Sequence, residues 1–205
     1  GSGGIISGAA ASSAIDDTGR ASVTLADGTG PAVANHATLA ANTIDVVADY
    51  RSTYGLHANA INASVVGASG TEATYTNTVN GRKAGATIDV GRHAEVEALD
   101  GISMTSASHV QRVAGTASPD DGEAMYVATG AGGGLISGAA VVAKQTLQHE
   151  AATRVADNAS LITGGDPYLR KGSIALHART TTDAAMHVKL NTGGAIQAPF
   201  TKSET

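Results

Sequence analysis

Histidine is the side chain in this sequence best suited to metal binding or proton transfer at neutral pH. His36 and His93 occupy equivalent places in a repeated pattern, in which the third copy has Asn158. A column of such side chains could bind a metal ion, but asparagine is a typical turn residue that hydrogen-bonds nearby backbone. We therefore interpret these three as repeat-corner positions and predict no metal site. The other histidines are scattered through the sequence, at His57, His109, His149, His177 and His187.

Motifs of the common catalytic and nucleotide-binding classes are incomplete. His149-Glu150 begins like a zinc-protease motif, but Thr153 stands where the second histidine is required. The richest glycine run, residues 130–134, is followed by Leu135 rather than by the Lys-Ser/Thr of a phosphate loop. The chain has no cysteine, which excludes a thiol nucleophile and a thiolate zinc site. We predict no catalytic residue and no cofactor, and hence no enzymatic activity.

Two acidic pairs offer the other possible chemistry, at Asp16-Asp17 and Asp120-Asp121. Glycosidases work with two carboxyl groups at a defined separation. Both pairs lie in polar, turn-like sequence, which is typical of solvated loop acids. A β-helix polysaccharide lyase or hydrolase is the alternative interpretation, and it requires acidic and basic residues aligned on neighbouring coils.

One segment could bind a ligand without catalysing a reaction. Residues 164–171 interrupt the third copy of the repeated pattern and bring Tyr168, Arg170 and Lys171 together in sequence. An aromatic ring beside two cations suits a host or matrix glycan, so these three form a candidate surface-binding loop. An ordinary solvated insertion is the competing interpretation.

Composition narrows the class of protein. The 205 residues include 15% charged and 3% aromatic residues, with one Phe and no Trp, so the core must consist of small aliphatic side chains. The net charge of −5 argues against a broad electrostatic contact with nucleic acid. The longest apolar runs are shorter than a bilayer-spanning helix, so we predict no membrane insertion. Because the sequence opens within a repeat pattern, we expect a segment of a longer protein or a processed subunit.

Internal repetition is the strongest signal in the sequence. Residues 3–10 and 133–140 are identical at seven of eight positions, and a weaker copy occupies residues 65–70. The His/Asn pattern starts at His36 and recurs at His93 and again at Asn158. We predict a single segment over residues 1–205, built from three repeats at residues 3–64, 65–132 and 133–200, with a polar tail at 201–205.

Apolar and polar residues alternate within each repeat, as in Ile44, Val46 and Ala48 or in Ile102, Met104 and Ser106. This alternation predicts β-strands with one buried face. We expect strands of about four to six residues separated by Gly, Asn and Asp turns, with a helix over 139–155 as the alternative. Small inward residues favour a β-solenoid over a sandwich. With about 20 residues in a coil, each repeat holds three coils and the rod is about 50 Å long.

The repeated order Gly-Gly-Leu-Ile-Ser-Gly-Ala-Ala, a variable Ala/Thr stretch, His-or-Asn-Ala-x-Leu and Ile-x-Val-x-Ala spans nearly the whole chain. In this it resembles the repeats of large secreted filamentous adhesins, the haemagglutinin-like and leukotoxin-type exoproteins of Gram-negative bacteria. The resemblance implies a right-handed parallel β-helix, extracellular and displayed at the bacterial cell surface. It implies a shaft without catalytic residues, and the family's secretion-signal domain is not seen in this sequence.

These patterns predict a structural or adhesive shaft segment. An uncapped stack of coils presents unpaired strand edges that can pair with another chain. We therefore expect self-association through the ends of the solenoid, up to end-to-end filaments. A polysaccharide-binding module is the alternative that the loop at Tyr168 would favour.

Overall fold

Fifteen β-strands make up the regular structure in the computed structural model, which describes residues 2–29, 36–79, 81–113, 126–164 and 172–204. The described residues contain no helix, so the all-β prediction is confirmed. The strands are β1 (Ser2–Asp16), β2 (Arg20–Leu25), β3 (Ala37–Tyr54), β4 (Ala58–Thr76), β5 (Thr78–Val79), β6 (Arg82–Lys83), β7 (Gly85–Val90), β8 (Ala94–Arg112), β9 (Tyr126–Gly133), β10 (Ile136–Thr146), β11 (Glu150–Val155), β12 (Ser160–Thr163), β13 (Ser173–Asp183), β14 (His187–Gly193) and β15 (Ile196–Glu204).

Three parallel sheets contain all but two of these strands. Sheet A joins β1, β4, β9, β10, β14 and β15, and sheet B joins β2, β7 and β11. Sheet C joins β3, β8, β12 and β13. The exception is the short antiparallel hairpin of β5 and β6. The chain visits sheets A, B and C in turn and then returns to sheet A, so each strand pairs with its counterpart from the next repeat.

One repeat period corresponds to one layer of the stack. Ala37 in the first repeat pairs with Ala94 in the second, and Gly101 in the second pairs with Ser173 in the third. The prediction of three short coils in each repeat is therefore wrong, and so is the rod length that follows from it. We number the layers 1 (β1–β3), 2 (β4–β8), 3 (β9–β13) and 4 (β14 and β15). At about 4.8 Å between strands, the four layers of sheet A in the described residues span only about 15 Å.

The strands are much longer than the sequence patterns predict. Both β4 and β8 contain 19 residues, and β3 contains 18. The predicted strand length is wrong because glycine was interpreted as a turn residue. Gly67 and Gly70 instead lie inside β4. A Cβ on Gly67 would come within 2.1 Å of the Ser64 Oγ, so this glycine provides room for a neighbouring side chain.

On β3 and β8, buried and more exposed residues alternate as the sequence predicts. Ile44 and Ala48 are buried on β3, and Ile102, Met104 and Ser106 are buried on β8. The helical alternative over residues 139–155 is wrong, since β10 and β11 occupy that stretch.

The core is thin and lies mainly in layer 2, which has a layer on either side of it. Many of its fully buried residues are alanines, such as Ala73, Ala84, Ala86 and Ala94. Larger side chains are also fully buried, and Tyr75 is the largest of these. Small side chains suit the core of layer 2, because the facing sheets leave little space between them.

Candidate functional site

The three repeat-corner residues lie in one column of the stack. Ala37 pairs with Ala94, and Ser160 pairs with Glu95, which brings His36, His93 and Asn158 to the same place in layers 1, 2 and 3. The rings of His36 and His93 are stacked, with 6.1 Å between centroids and 23° between planes.

Two of these corners adopt the left-handed backbone conformation. His93 has φ of 53° and Asn158 has φ of 59°. Among residues other than glycine, Asn and His are among those that tolerate this region best. Their backbone geometry suits the turn role that the sequence analysis assigns to these positions.

The corner column also carries a histidine–carboxylate contact. His36 Nδ1 lies 3.2 Å from the Glu95 carboxylate, and both side chains are mostly buried. This contact joins layer 1 to layer 2. Among the described residues, no group of three or more His, Asp or Glu side chains is arranged to hold a metal ion.

A second polar cluster, which the sequence analysis missed, surrounds Asp17. Asp17 Oδ2 accepts hydrogen bonds from Tyr50 Oη at 2.6 Å, from Ser52 Oγ and, more weakly, from Tyr75 Oη at 3.4 Å. The backbone N–H of Gly19 donates to Asp17 Oδ1 at 2.9 Å. The interpretation of Asp17 as a solvated loop acid is therefore wrong, because its carboxylate ties the end of β1 to sheets A and C.

This cluster shifts the pKa of its members. Burial opposes ionisation of Asp17, but the hydrogen bonds from Ser52, Tyr50 and Gly19 outweigh it and hold the pKa of the carboxyl below its ordinary value. Burial, together with the adjacent Asp17 carboxylate, raises the pKa of Tyr50. The Asp17 carboxylate is thus held in its charged form, as a structural acceptor rather than a proton donor.

An aromatic pair continues this contact into the core. The rings of Tyr54 on β3 and Tyr75 on β4 are stacked with 3.6 Å between centroids and 9° between planes. Burial, and then Tyr75, raise the pKa of Tyr54 to about 12. These are two of the five tyrosines in the chain, and they join sheets A and C.

A serine and a histidine come within hydrogen-bond distance in a third cluster. Ser108 Oγ lies 2.7 Å from His149 Nδ1, and His149 Nε2 lies 2.8 Å from Thr182 Oγ1. Such a pair could form a nucleophile and its base. However, Ser108 is only 1% exposed, so its hydroxyl has no room for a substrate. Burial, with a contribution from His109, lowers the pKa of His149, and the neutral ring links β8 to β13.

The candidate glycan loop cannot be placed. Tyr168, Arg170 and Lys171 lie outside the described residues, as does the Asp120-Asp121 pair. Within the described part of the chain, no helix is long and apolar enough to cross a bilayer.

The outer strands form a candidate surface for association. In the described residues, β1 and β15 each pair with a neighbour on one side only. The outermost strands β1, β13 and β15 also carry large apolar side chains, namely Ile5, Ile6, Ile174, Leu176, Ile196 and Phe200, each at least 45% exposed.

The chain matches no protein-family model, no curated protein and no solved structure. The resemblance to filamentous adhesins therefore stays a prediction, and the function must be argued from the geometry alone.

Proposed function

We propose that this chain is a shaft segment of an extracellular bacterial repeat protein, with an adhesive or filament-forming role. Its fold in this proposal is a right-handed β-solenoid with one coil per repeat. The observation that carries the proposal is the parallel, in-register stacking of successive repeats, as in the column Ser12, Glu72, Val142 and Lys202. Such stacks lengthen by adding layers, and each layer contacts only its neighbours.

Several polar contacts in the described residues join one layer of the stack to another. Asp17 in layer 1 accepts a hydrogen bond from Tyr75 in layer 2, and His36 reaches Glu95 in the next layer. Arg20 in layer 1 forms a 2.8 Å ion pair with Glu150 in layer 3. A structural role accounts for these polar residues, because each fixes one layer against another.

End-to-end association is the assembly that we propose for the shaft. The N–H of Asp17 donates to the carbonyl of Thr76 in layer 2. Because alternate residues of a parallel strand point their N–H groups to opposite neighbours, the even-numbered residues of β1 point theirs to the open side. That open edge can add to the outer edge formed by β14 and β15 of a second copy.

At the end of the stack formed by layer 4, sheet A extends one layer further than sheets B and C. This difference limits the contact that a second copy can make there. Sheet A has four layers in the described residues, whereas sheets B and C have three. A second copy joined through sheet A leaves its sheet C about 10 Å above β13, two strand spacings away. The joint therefore uses one sheet only, and we expect assembly to depend strongly on protein concentration.

Substitution of Ala14 tests the proposal. Ala14→Pro removes an N–H from the open edge of β1, and Ala14→Ser is the matched control that keeps it. We expect sedimentation velocity to show concentration-dependent growth for the wild type and for Ala14→Ser, and monomers for Ala14→Pro. Electron micrographs of the wild type should show rods with an axial spacing of about 4.8 Å. A wild type that stays monomeric at high concentration, or equal growth of all three chains, would contradict the proposal.

A further inference from the structure

The outer face of sheet A carries a ridge of aliphatic side chains that recurs in every layer. The register places Ile6, Val66, Ile136 and Ile196 side by side across the four layers. Their exposed fractions are 80%, 37%, 43% and 61%. Val66 and Ile136 lie in the middle layers, so stacking more layers on either end cannot cover them.

A groove runs parallel to this ridge on the same face. Ala10, Gly70 and Ala140 line its side nearer the ridge in layers 1 to 3. Ser12, Glu72 and Val142 line its far side, and its volume is about 410 Å³. It lies four residues along the strand from the ridge, which is about 13 Å at the usual rise. In layer 4 the groove ends at Phe200, whose ring is exposed.

The strongest internal repeat in the sequence encodes this pair of features. Residues 3–10 and 133–140 share seven of eight positions, and they include the ridge residue and the groove residue of layers 1 and 3. Inward packing accounts for Ser137 and Ala139, which are buried. It does not account for an isoleucine at the exposed ridge position in three of the four layers.

We infer that this face of sheet A binds the same face of a second copy of this chain, laterally, with the ridge of each copy in the groove of the other. A two-fold axis parallel to the stacking direction and passing near Ala68 produces this arrangement, because it exchanges positions 66 and 70. The interface is isologous. A two-fold axis along the strands would instead set ridge against ridge.

The residues of this face suit a second copy whose layers stack in the same direction. Gly and Ala in the groove allow the sheets to approach closely, and layer 4 sets Ile196 against Phe200. Glu72 lines the side of the groove away from the ridge, and Lys144 and Lys202 lie toward the rim on that side, where charge is tolerated.

The area predicts a weak pair that strengthens with length. A face about 20 Å along the strands and four layers high covers roughly 400 Å² on each copy. A total near 800 Å² is below the usual size of a stable complex, about 1,200 Å² or more. Each further layer in a longer shaft adds area, so lateral pairing would join long shafts firmly and short segments only at high concentration.

Cross-linking through a single introduced cysteine tests the inference, since the chain has no cysteine of its own. In the proposed pair, Ala68→Cys faces its own counterpart across the axis. Lys144→Cys, on the same outer face, lies about 40 Å from its counterpart and is the matched control. We expect a short bismaleimide to give at least tenfold more dimer with Ala68→Cys than with Lys144→Cys. Equal yields would overturn the inference and leave the ridge to a different partner.

Two further variants separate lateral pairing from end-to-end assembly. Adding Ile136→Lys to Ala68→Cys places a charge on the ridge, and we expect the cross-linked dimer to disappear. Adding Ala14→Pro blocks the end joint instead, and we expect the dimer to persist. A dimer that survives Ile136→Lys, or one that is lost with Ala14→Pro, would overturn the inference. Circular dichroism of each variant checks that the fold is retained.

Discussion

Layers 2 and 3 place equivalent residues in very different surroundings. On sheet C, Met104 in layer 2 is 2% exposed, whereas its register partner Leu176 in layer 3 is 45% exposed. Both side chains are large and apolar, and both occupy the same position in the repeat. The difference arises because layer 2 is covered on both sides, while the described residues place no strand of sheet C over β13. For this pair of residues, coverage by a further layer rather than residue type accounts for the difference in burial.

Truncation of both residues should give the largest difference in stability between the two layers. Met104→Ala removes a buried side chain and leaves a cavity, so we expect the free energy of unfolding to fall by about 2–5 kcal/mol. Leu176→Ala removes an exposed side chain and should cost less than about 1 kcal/mol. Urea denaturation of both variants measures the difference. Equal losses would mean that layer 3 is as well covered as layer 2.

The contact between layers 2 and 3 depends on the absence of a side chain at Gly134. A substitution there should lower the stability almost as much as the truncation of Met104. A Cβ on Gly134 would lie 1.7 Å from the Ser64 carbonyl oxygen, and its φ is +154°. We expect Gly134→Ala to force these layers apart and to lower the free energy of unfolding by about 1–3 kcal/mol. Gly133→Ala is the neighbouring control, because a Cβ there meets no atom within 4 Å. Thermal unfolding of the two variants should separate them clearly, and similar melting temperatures would argue against this close approach.

The Asp17 cluster joins layer 1 to layer 2, and it should make the free energy of unfolding depend on pH in the acidic range. The pKa of Asp17 is lower in the folded protein than its ordinary value of 3.8. The stabilisation is therefore fully present above about pH 5, and it is lost as the pH falls through 3.8 to the lower folded pKa. Asp17→Ala should lower the free energy of unfolding by about 1–2 kcal/mol at pH 7. Its stability should also fall less steeply than that of the wild type between pH 5 and pH 2, and identical pH profiles would contradict this role.

Layer 3 contains a polar residue whose removal should stabilise the protein. Gln145 pairs in register with Tyr75 and is 2% exposed. Its side-chain amide has no hydrogen-bond partner among the described residues, unlike the Tyr75 hydroxyl. Gln145→Met keeps the shape and removes the unpaired groups, so we expect a gain of about 1 kcal/mol in the free energy of unfolding. Gln145→Glu, which would bury a charge, should instead destabilise it. A loss with methionine would show that the amide has a partner.

The sequence predicts the strands and their buried faces better than it predicts their stacking. Alternation at Ile44–Ala48 and at Ile102–Ser106 reports which face is inward, because the side-chain period of a strand is two residues. The same pattern carries no information about where a strand ends. Gly67 and Gly101 resemble turn residues but lie within long strands, and this is why the coil length was predicted wrongly.

The polar clusters depend on contacts that no local pattern contains. Asp17 meets Tyr50 and Tyr75, which lie 33 and 58 residues further along the chain. The layer size sets these separations, and the sequence alone did not reveal it. A fourth copy of the glycine motif, at residues 193–196, was also missed, because only its two glycines and Ile196 are retained. The clash that a Cβ on Gly194 would make with the Gly134 carbonyl oxygen gives the physical reason for this glycine.

The central claim is that one repeat forms one layer, and paired cysteines test it most directly. Ser12 and Glu72 are register partners on the outer face of sheet A, one layer apart, whereas Val142 is two layers from Ser12. We predict that Ser12→Cys/Glu72→Cys forms an intrachain disulfide readily under mild oxidation. The control Ser12→Cys/Val142→Cys should not, since about 10 Å exceeds the reach of a disulfide. With coils of about 20 residues, Ser12 and Glu72 would lie three layers apart, and the absence of the first disulfide would contradict the claim.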